Sequence, residues 1–460
     1  MKIGEKFERW VKRNLPDPLS IALFLTVLTA ILALFTTETN VIGVADSWVT
    51  GFWSFLAFAM QVGLSMVLGA VFFTAPAVKK GVAALCSIPK TSKQAAMFLF
   101  FVVYVLGWFN WGVGFISAGF LTKEVATQFN KKKVPYHLPL IAAAAQTGII
   151  SYAASWNSAV LIQIGTEGHF AQDLMGVMPL AESIFTPISL YILIGWLVLG
   201  LAVYYFMHPV DKSKFLMAEF DDETGNIIDK KKEEVVKPKD LTKRTFAEQF
   251  DNIWFWNVGL VVLWAVWFVS LMINTGPNAI NLDVANITIF VFGLLAWKYP
   301  LKYFKSFKEN TPSAAGVFLQ FHIYAGIMGI MRFTGLVDVI SGAFAKISSA
   351  GTFPMVSFIS SAVINMCIPS GGGQWAAQGP VLIGTAQALG ADLFLTTMGF
   401  SFASSLMDLA IPFWALPIAG ILKLQTRDIL GYTIATTIIL TIYSVAVMLL
   451  AGFGFLPVMW

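Results

Sequence analysis

Charge is what this sequence has least of. Asp, Glu, Lys and Arg make up only 12% of its 460 residues, while 57% are hydrophobic. A water-soluble domain of this length needs far more charge on its surface, so the composition indicates a membrane protein. Cysteine is almost absent as well: Cys86 and Cys367 stand alone, without the spacing of a zinc site or a disulfide framework. The formal charge of +4 is mild and the basic residues sit beside apolar runs, so no nucleic-acid partner is expected. The sequence carries no nucleophile–base constellation, metal cluster or phosphate loop, which argues against an enzyme. The first long apolar run starts near Leu19, is of spanning length and lacks a convincing cleavage site, so it does not read as a cleaved signal peptide.

What is abundant is apolar sequence in long runs. A spanning helix needs about 20 mostly apolar residues. Such runs lie near 18–36, 52–74, 138–164, 185–207, 254–274, 283–298, 313–331, 392–411 and 431–456. They predict an all-α polytopic membrane protein with about nine spanning helices. Two more apolar stretches, 94–122 and 352–390, are interrupted at Gly107–Gly114 and at Asn365–Trp375. The polar stretch 208–252 carries nine Lys and Arg and reads as a cytoplasmic loop.

The basic residues set the orientation. With the N-terminus inside, the interrupted stretch 94–122 lies between Lys90 and Lys93 on one flank and Lys123 and Lys131 to Lys133 on the other. It must enter and return on the same side, as a re-entrant hairpin. The stretch 352–390 has no Lys or Arg and reads as a second hairpin entering from outside. Of 30 Lys and Arg, only Arg332 and Lys346 then fall outside, leaving 30 − 2 = 28 inside. The C-terminus ends outside. A bacterial-type inner membrane is the expected location.

The two halves also resemble each other. Gln61 parallels Gln320, and each is followed 49 residues later by a hairpin centre, at Asn110 and Pro369. "TGIISYAASW" (147–156) parallels "MGFSFASSLM" (398–407). The halves start on opposite sides, which makes them inverted repeats, a transporter signature. The chain divides into a first repeat over 1–207, the loop over 208–252, a connecting span over 253–274 and a second repeat over 283–460.

Candidate site residues cluster at these interruptions, because irregular backbone at membrane depth is tolerated only where it is buried or lines a wet cavity. In "CIPSGGGQW", Pro369 blocks a regular helix and three glycines are expected to unwind it. A half-helix starting near Gln374 would then point its positive end at an anion such as a carboxylate. The residues involved are Asn365, Pro369, Ser370, Gly371, Gly372, Gly373, Gln374 and Gln378. Asn110, Gly112 and Gly114 would form the matching cradle. Trp111 and Trp375 at the tips would meet a short apolar tail. The broken spans add Ser151, Ser155, Asn157 and Ser158, and Ser401, Ser404, Ser405 and Asp408, with Pro412 ending the regular stretch. Small hydroxyl residues and glycines are equally common as packing residues. His322 and Asp408 are the ionisable residues inside spans and are candidates for a coupling proton; His322 also fits a hydrogen-bonded packing role. A sodium ion near Asn110 and Asn365 is the competing cation site. Gln61 and Gln320 fit interhelical bridges as well as ligands. Trp48, Trp53, Trp254 and Trp460 fit the interfacial belt.

The segments "NMCIPSGGGQWAAQGP", "TAQALGADL", "PFWALP", "LPDPLSIALFLTVLTAIL" and "VTGFWSFLAFAMQ" resemble the bacterial short-chain fatty acid transporters, carriers of acetoacetate and butyrate. The resemblance runs from about Leu15 to the C-terminus. It implies uptake of small monocarboxylates such as butyrate, acetoacetate or acetate across the plasma membrane. Relatives in the wider ion-transporter superfamily imply an elevator-type scaffold with a moving transport domain. His322 and Asp408 lie outside the family pattern, so a coupling role for either rests on the residues alone. The expected partners are the substrate and the bilayer, with a homodimer left open. No cofactor is expected beyond a coupling ion, proton or sodium, in a cation symport. The competing function is a carrier or channel for another small anion or an amino acid, of the C4-dicarboxylate or basic amino acid type.

Overall fold

The computed structural model describes residues 16, 18–54, 56–109, 111–156, 158–165, 167, 172–209, 215–218, 253–276, 279 and 282–459. Asn110, Asn157, Trp460 and nearly all of the polar stretch 208–252 therefore lie outside the described residues. Among the described residues every regular element is helical. Nine runs are long and apolar enough to cross a bilayer: Leu19–Thr36, Val41–Thr74, Ser92–Phe109, Leu138–Ile164, Pro187–Met207, Phe255–Thr275, Ala315–Phe333, Leu393–Leu422 and Thr426–Gly452. The run expected at 52–74 begins earlier, as two helices, Val41–Ser54 and Leu56–Thr74. The run expected at 283–298 is the 16-residue helix Leu282–Trp297, which is below the length of the nine.

Local chemistry sets the helix starts. Proline stands at the first helical position of Pro76–Cys86, Pro187–Met207, Pro300–Asn310 and Pro412–Leu422, where its missing N–H costs nothing. Side chains cap others: Asp392 accepts from Leu395 N at 2.7 Å, and Gln425 and Asp428 form a reciprocal capping box.

One order of elements occurs twice. A long helix (Leu56–Thr74 or Ala315–Phe333) leads to a short one (Pro76–Cys86 or Leu336–Ala345). A pair of helices that fold back on each other follows: Ser92–Phe109 with Trp111–Lys131, and Phe353–Asn365 with Gly371–Leu389. Then comes a broken helix, and finally a long one (Pro187–Met207 or Thr426–Gly452). The first broken helix runs from Leu138 to Thr147, tightens to a 3-10 helix over Gly148–Ala154, becomes extended at Ser155 and resumes as Ala159–Ile164. The second is Leu393–Met407 followed by Pro412–Leu422. Its break falls at Asp408–Ile411, and Pro412 opens the next helix rather than ending the previous one.

The broken helices are the most buried runs and cross at the centre of the molecule. Ser401 Oγ donates to Ala153 O at 2.7 Å, and Ser151 Oγ donates to Tyr104 O at 2.6 Å. Ser401 thus satisfies a carbonyl that the break leaves open, while Ser151 ties the break to the neighbouring helix Ser92–Phe109. By contrast, Phe255–Thr275 is exposed or half-buried along its length, with only Asn257 buried, whose Nδ2 donates to Leu294 O. Exposed apolar helix of this kind suits contact with lipid.

Glycines set the closest helix crossing. A Cβ at Gly329 would lie 2.2 Å from Ser47 O and 2.6 Å from Gly51 Cα, so Val41–Ser54 and Ala315–Phe333 touch backbone to backbone. Gly329→Val is expected to destabilise by about 1–3 kcal/mol, the usual cost of overpacking. Gly342→Ala, where an added methyl meets nothing within 4 Å, should be neutral or stabilising. Thermal unfolding of the two detergent-solubilised variants, followed by fluorescence-detected size exclusion, measures the contrast; equal stabilities would show that the crossing is not tight.

Candidate functional site

The breaks and the tip of the second helix pair meet at one cavity of about 230 Å³. Trp111 and Phe115 enter it from the first pair, and Gln146, Ile149, Ile150 and Tyr152 from the first broken helix. Ser370, Gly371 and Gly372 come from the second pair, and Ser405, Asp408, Leu409 and Trp414 from the second broken helix. Ala159 completes the wall. Drug-sized ligands occupy roughly 300–1,000 Å³, so the cavity fits a smaller molecule.

Its walls divide by chemistry. Trp111, Phe115, Ile149, Ile150, Leu409 and Trp414 make an apolar side, with the two indoles edge to face at 6.0 Å. Opposite chemistry gathers at Gln146, Tyr152, Ser370, Ser405 and Asp408. No Lys, Arg or His lines the cavity among the described residues.

The second tip is a helix start. Ser370 is the N-cap of Gly371–Leu389, with its Oγ accepting from Gly373 N, and Gln374 N donates to Ser370 O at 2.7 Å. The first N–H groups of a helix have no partner within it. Those of Gly371 and Gly372 are left at the cavity wall, with the positive end of the helix dipole behind them. The three glycines are thus helical rather than unwound, and the helix begins at Gly371, not near Gln374. Their smallness matters instead: a Cβ on Gly371 would lie 3.1 Å from Ser404 Oγ.

Several sequence candidates do other work. Gln374 is buried inside the second pair, where Nε2 donates to Ser361 O and Gln378 Oε1, both at 2.9 Å, and Oε1 accepts from Asn365 Nδ2. Gln378 donates to Ser360 Oγ at 3.3 Å. These amides join the two arms and do not line the cavity. Trp375 is fully buried against Phe400, also away from the cavity, and Pro369 is buried behind the tip. Gly114 is a packing glycine: its Cβ would lie 2.7 Å from Gly107 Cα in the facing arm. Gly112, like Gly114, sits within the helix Trp111–Lys131, not in an irregular cradle. Ser158 caps Ala159–Ile164 and stands 3.4 Å from Ser401 Oγ, while Ser155 Oγ donates to Tyr152 O. Ser404 is buried beside the tip.

The two ionisable candidates separate. His322 Nδ1 is bonded to Phe318 O at 2.7 Å, and the ring packs on Phe52 and near Trp53. It is outside the cavity and matches the packing role. Asp408 is inside it. Tyr152 donates its hydroxyl to Asp408 Oδ2 at 2.8 Å, and Trp414 and Asn365 stand close to the same carboxylate. Oδ1 has no partner within ordinary hydrogen-bond geometry. Gln61, in turn, is a bridge: its Nε2 donates to Asp283 Oδ1 at 2.7 Å.

Two residues of the cavity's polar corner, and all of its apolar side except Trp111, have no counterpart among the sequence candidates. Tyr152 lies between candidate serines, and its link to Asp408 spans 256 positions. Gln146 ends the buried run Ala142–Ala145, and neither its Nε2 nor its Oε1 has a partner. A buried amide with both ends unpaired costs stability, and its place at the wall points to a ligand. The signal in the sequence was a lone amide following four alanines in a span.

The family model for short chain fatty acid transporters matches residues 1–451. A relative in Escherichia coli K12 is 32% identical over 440 residues, covering 94% of this chain and 96% of its own length. One in Haemophilus influenzae is 30% identical over 454 residues, covering 95% and 96%. Both are named for short-chain fatty acid transport. The YdaH transporter of Alcanivorax borkumensis aligns over 97% of this chain and 100% of its own at 13% identity, with a TM-score of 0.43, a likeness too low to bear on this chain. This chain belongs to the short-chain fatty acid transporter family and is a transporter, not an enzyme.

The two glutamines should respond in opposite ways. Gln146→Leu removes two unpaired buried groups, so unfolding temperature should hold or rise while butyrate affinity falls about tenfold or more, as for a lost hydrogen bond to a charged ligand. Gln374→Leu strands Asn365 and Gln378 and should lower the unfolding temperature. Unfolding scans paired with butyrate binding isotherms check both; unchanged affinity in Gln146→Leu would remove it from the site.

Proposed function

We propose that this member of the short-chain fatty acid transporter family takes up small monocarboxylates such as butyrate, acetoacetate and acetate across the plasma membrane by symport with a cation. The cavity is the observation that supports this most: among the described residues it has one polar corner, one apolar side and no fixed positive charge. The carboxylate sits at the N–H groups of Gly371 and Gly372, with Ser370 and the Gln146 amide as further donors. The short tail lies against Trp111, Phe115 and Trp414. A second carboxylate would need a cation, and no Lys or Arg lines the wall, which disfavours a C4-dicarboxylate.

Symport follows from the work of moving charge. Uptake of an anion against an inside-negative potential costs about 2.3 kcal/mol per 100 mV. One accompanying cation removes that cost. In this reading the twice-repeated order of elements is a pair of inverted repeats, and the two folded-back pairs are re-entrant hairpins. The distribution of Lys and Arg supports an N-terminus inside and a C-terminus outside. The pairs and broken helices around the cavity form the moving part of an elevator, and the outer helices form its scaffold.

Reconstitution into proteoliposomes with labelled butyrate tests the substrate class. Burial of two further methylenes contributes about 1.6 kcal/mol, so butyrate should bind roughly tenfold tighter than acetate. Acetoacetate should compete, and succinate and lysine should not. Preferred uptake of succinate or lysine would replace the monocarboxylate reading.

A further inference from the structure

If a monocarboxylate occupies the cavity, it arrives beside a carboxylate that is already there. Asp408 lines the cavity together with the glycine tip. Its Oδ2 is taken by Tyr152, and its Oδ1 has no partner in ordinary hydrogen-bond geometry, with Trp414 and Asn365 close by. Two carboxylates confined in a small, largely apolar space cannot both stay ionised without a compensating cation. Elsewhere such pairs keep one proton between them, and titrate as a unit.

The groups around Asp408 limit where compensation can come from. The first broken helix faces it with Tyr152, and the segments Phe353–Asn365, Gly371–Leu389 and Pro412–Leu422 bring no acid, Lys, Arg or His. Cys367 lies at the turn between the first two of these. Ala315–Phe333 packs against Pro412–Leu422 and carries Tyr324, His322 and Arg332. None of these three lines the cavity, and the His322 ring is held by Phe318 O and Phe52. Trp111–Lys131 carries Lys123, Glu124 and Lys131 at its far end, while its cavity residues are Trp111 and Phe115. Among the described residues, no fixed cation is therefore within the cavity lining.

We infer that the coupling cation is a proton, held between Asp408 Oδ1 and the carboxylate of the bound substrate. This rests on the monocarboxylate reading above. The balance is simple: one anion and one proton enter the cavity together, the O–H on one carboxylate donates to the other, and the net charge of the occupied cavity equals that of the empty one. Release of both on the far side makes uptake electroneutral, with one proton per substrate. Tyr152 is a positioning residue: its hydroxyl occupies Oδ2 and so leaves Oδ1 as the oxygen that takes the proton. Gln146 Nε2 can then donate to the substrate oxygen that is not sharing the proton.

The test is proton uptake on binding. Purified protein in detergent, in weakly buffered sodium-free choline chloride with a pH indicator at mildly alkaline pH, is titrated with butyrate. The wild type should take up one proton per butyrate bound. Asp408→Asn presents an amide where the protonated acid would stand, so it should still bind butyrate while taking up none. Its affinity should no longer fall as pH rises from 6 to 8. In liposomes it should exchange butyrate but lose accumulation driven by a proton gradient. Tyr152→Phe keeps the carboxylate and should keep one proton per butyrate, with the pH midpoint moved. Butyrate binding to the wild type with no proton uptake, or only when sodium is added, overturns this inference and leaves the substrate reading standing. One proton taken up by Asp408→Asn places the proton elsewhere and overturns it too. Absence of saturable butyrate binding to the wild type overturns both. The wild-type stoichiometry decides the matter even if Asp408→Asn fails to fold.

Discussion

Backbone that leaves helical geometry in the middle of a bilayer must find every hydrogen bond inside the protein. This constraint organises the molecule. The two broken helices cross where each supplies what the other lacks: Ser401 answers the open carbonyl of Ala153, Tyr152 answers Asp408, and Ser158 meets Ser401. A break without its partner would strand groups worth several kcal/mol each in hydrocarbon. The cavity is placed at the crossing for the same reason, since only there is irregular backbone affordable and also accessible to a small polar ligand.

The glycines serve this arrangement from both ends. At Gly51 and Gly329 they bring outer helices into backbone contact, and at Gly107 and Gly114 they close the first folded-back pair. At Gly371 and Gly372 they expose N–H groups at a helix start. One residue type thus yields dense packing in two places and a receptive surface in a third. What separates the cases is what faces the place of a Cβ: backbone at Gly51, Gly329 and Gly114, side chains at Gly371 and Gly372.

The helical architecture was largely legible in the sequence because hydrophobic length acts one residue at a time. Apolar runs gave most of the long helices, and the interruptions at 107–114 and 365–375 marked the two helix pairs. The cavity was legible only in part. "PSGGGQW" reaches the cavity through Ser370, Gly371 and Gly372, but Ser370 is a better N-cap than Gln374. The helix therefore starts earlier, and Gln374 and Gln378, four residues apart on one face, turn into the arm interface. Gln146 and Tyr152 were missed because their meaning lies in what stands across from them. An unpaired amide and a tyrosine bonded to an acid 256 positions away carry no periodicity or motif.

The amides within the second helix pair have a mechanical consequence. Asn365, Gln374, Gln378 and Ser360 form a continuous chain of polar contacts between the two arms, sealed from solvent. Prying the arms apart would expose several mutually dependent bonds to hydrocarbon at once. The pair is accordingly stiff against opening like scissors. Its tip is a fixed jaw rather than a hinge: the polar chain behind it holds the spacing of the N–H groups at Gly371 and Gly372, and a change in the shape of the cavity has to come from the elements around the pair.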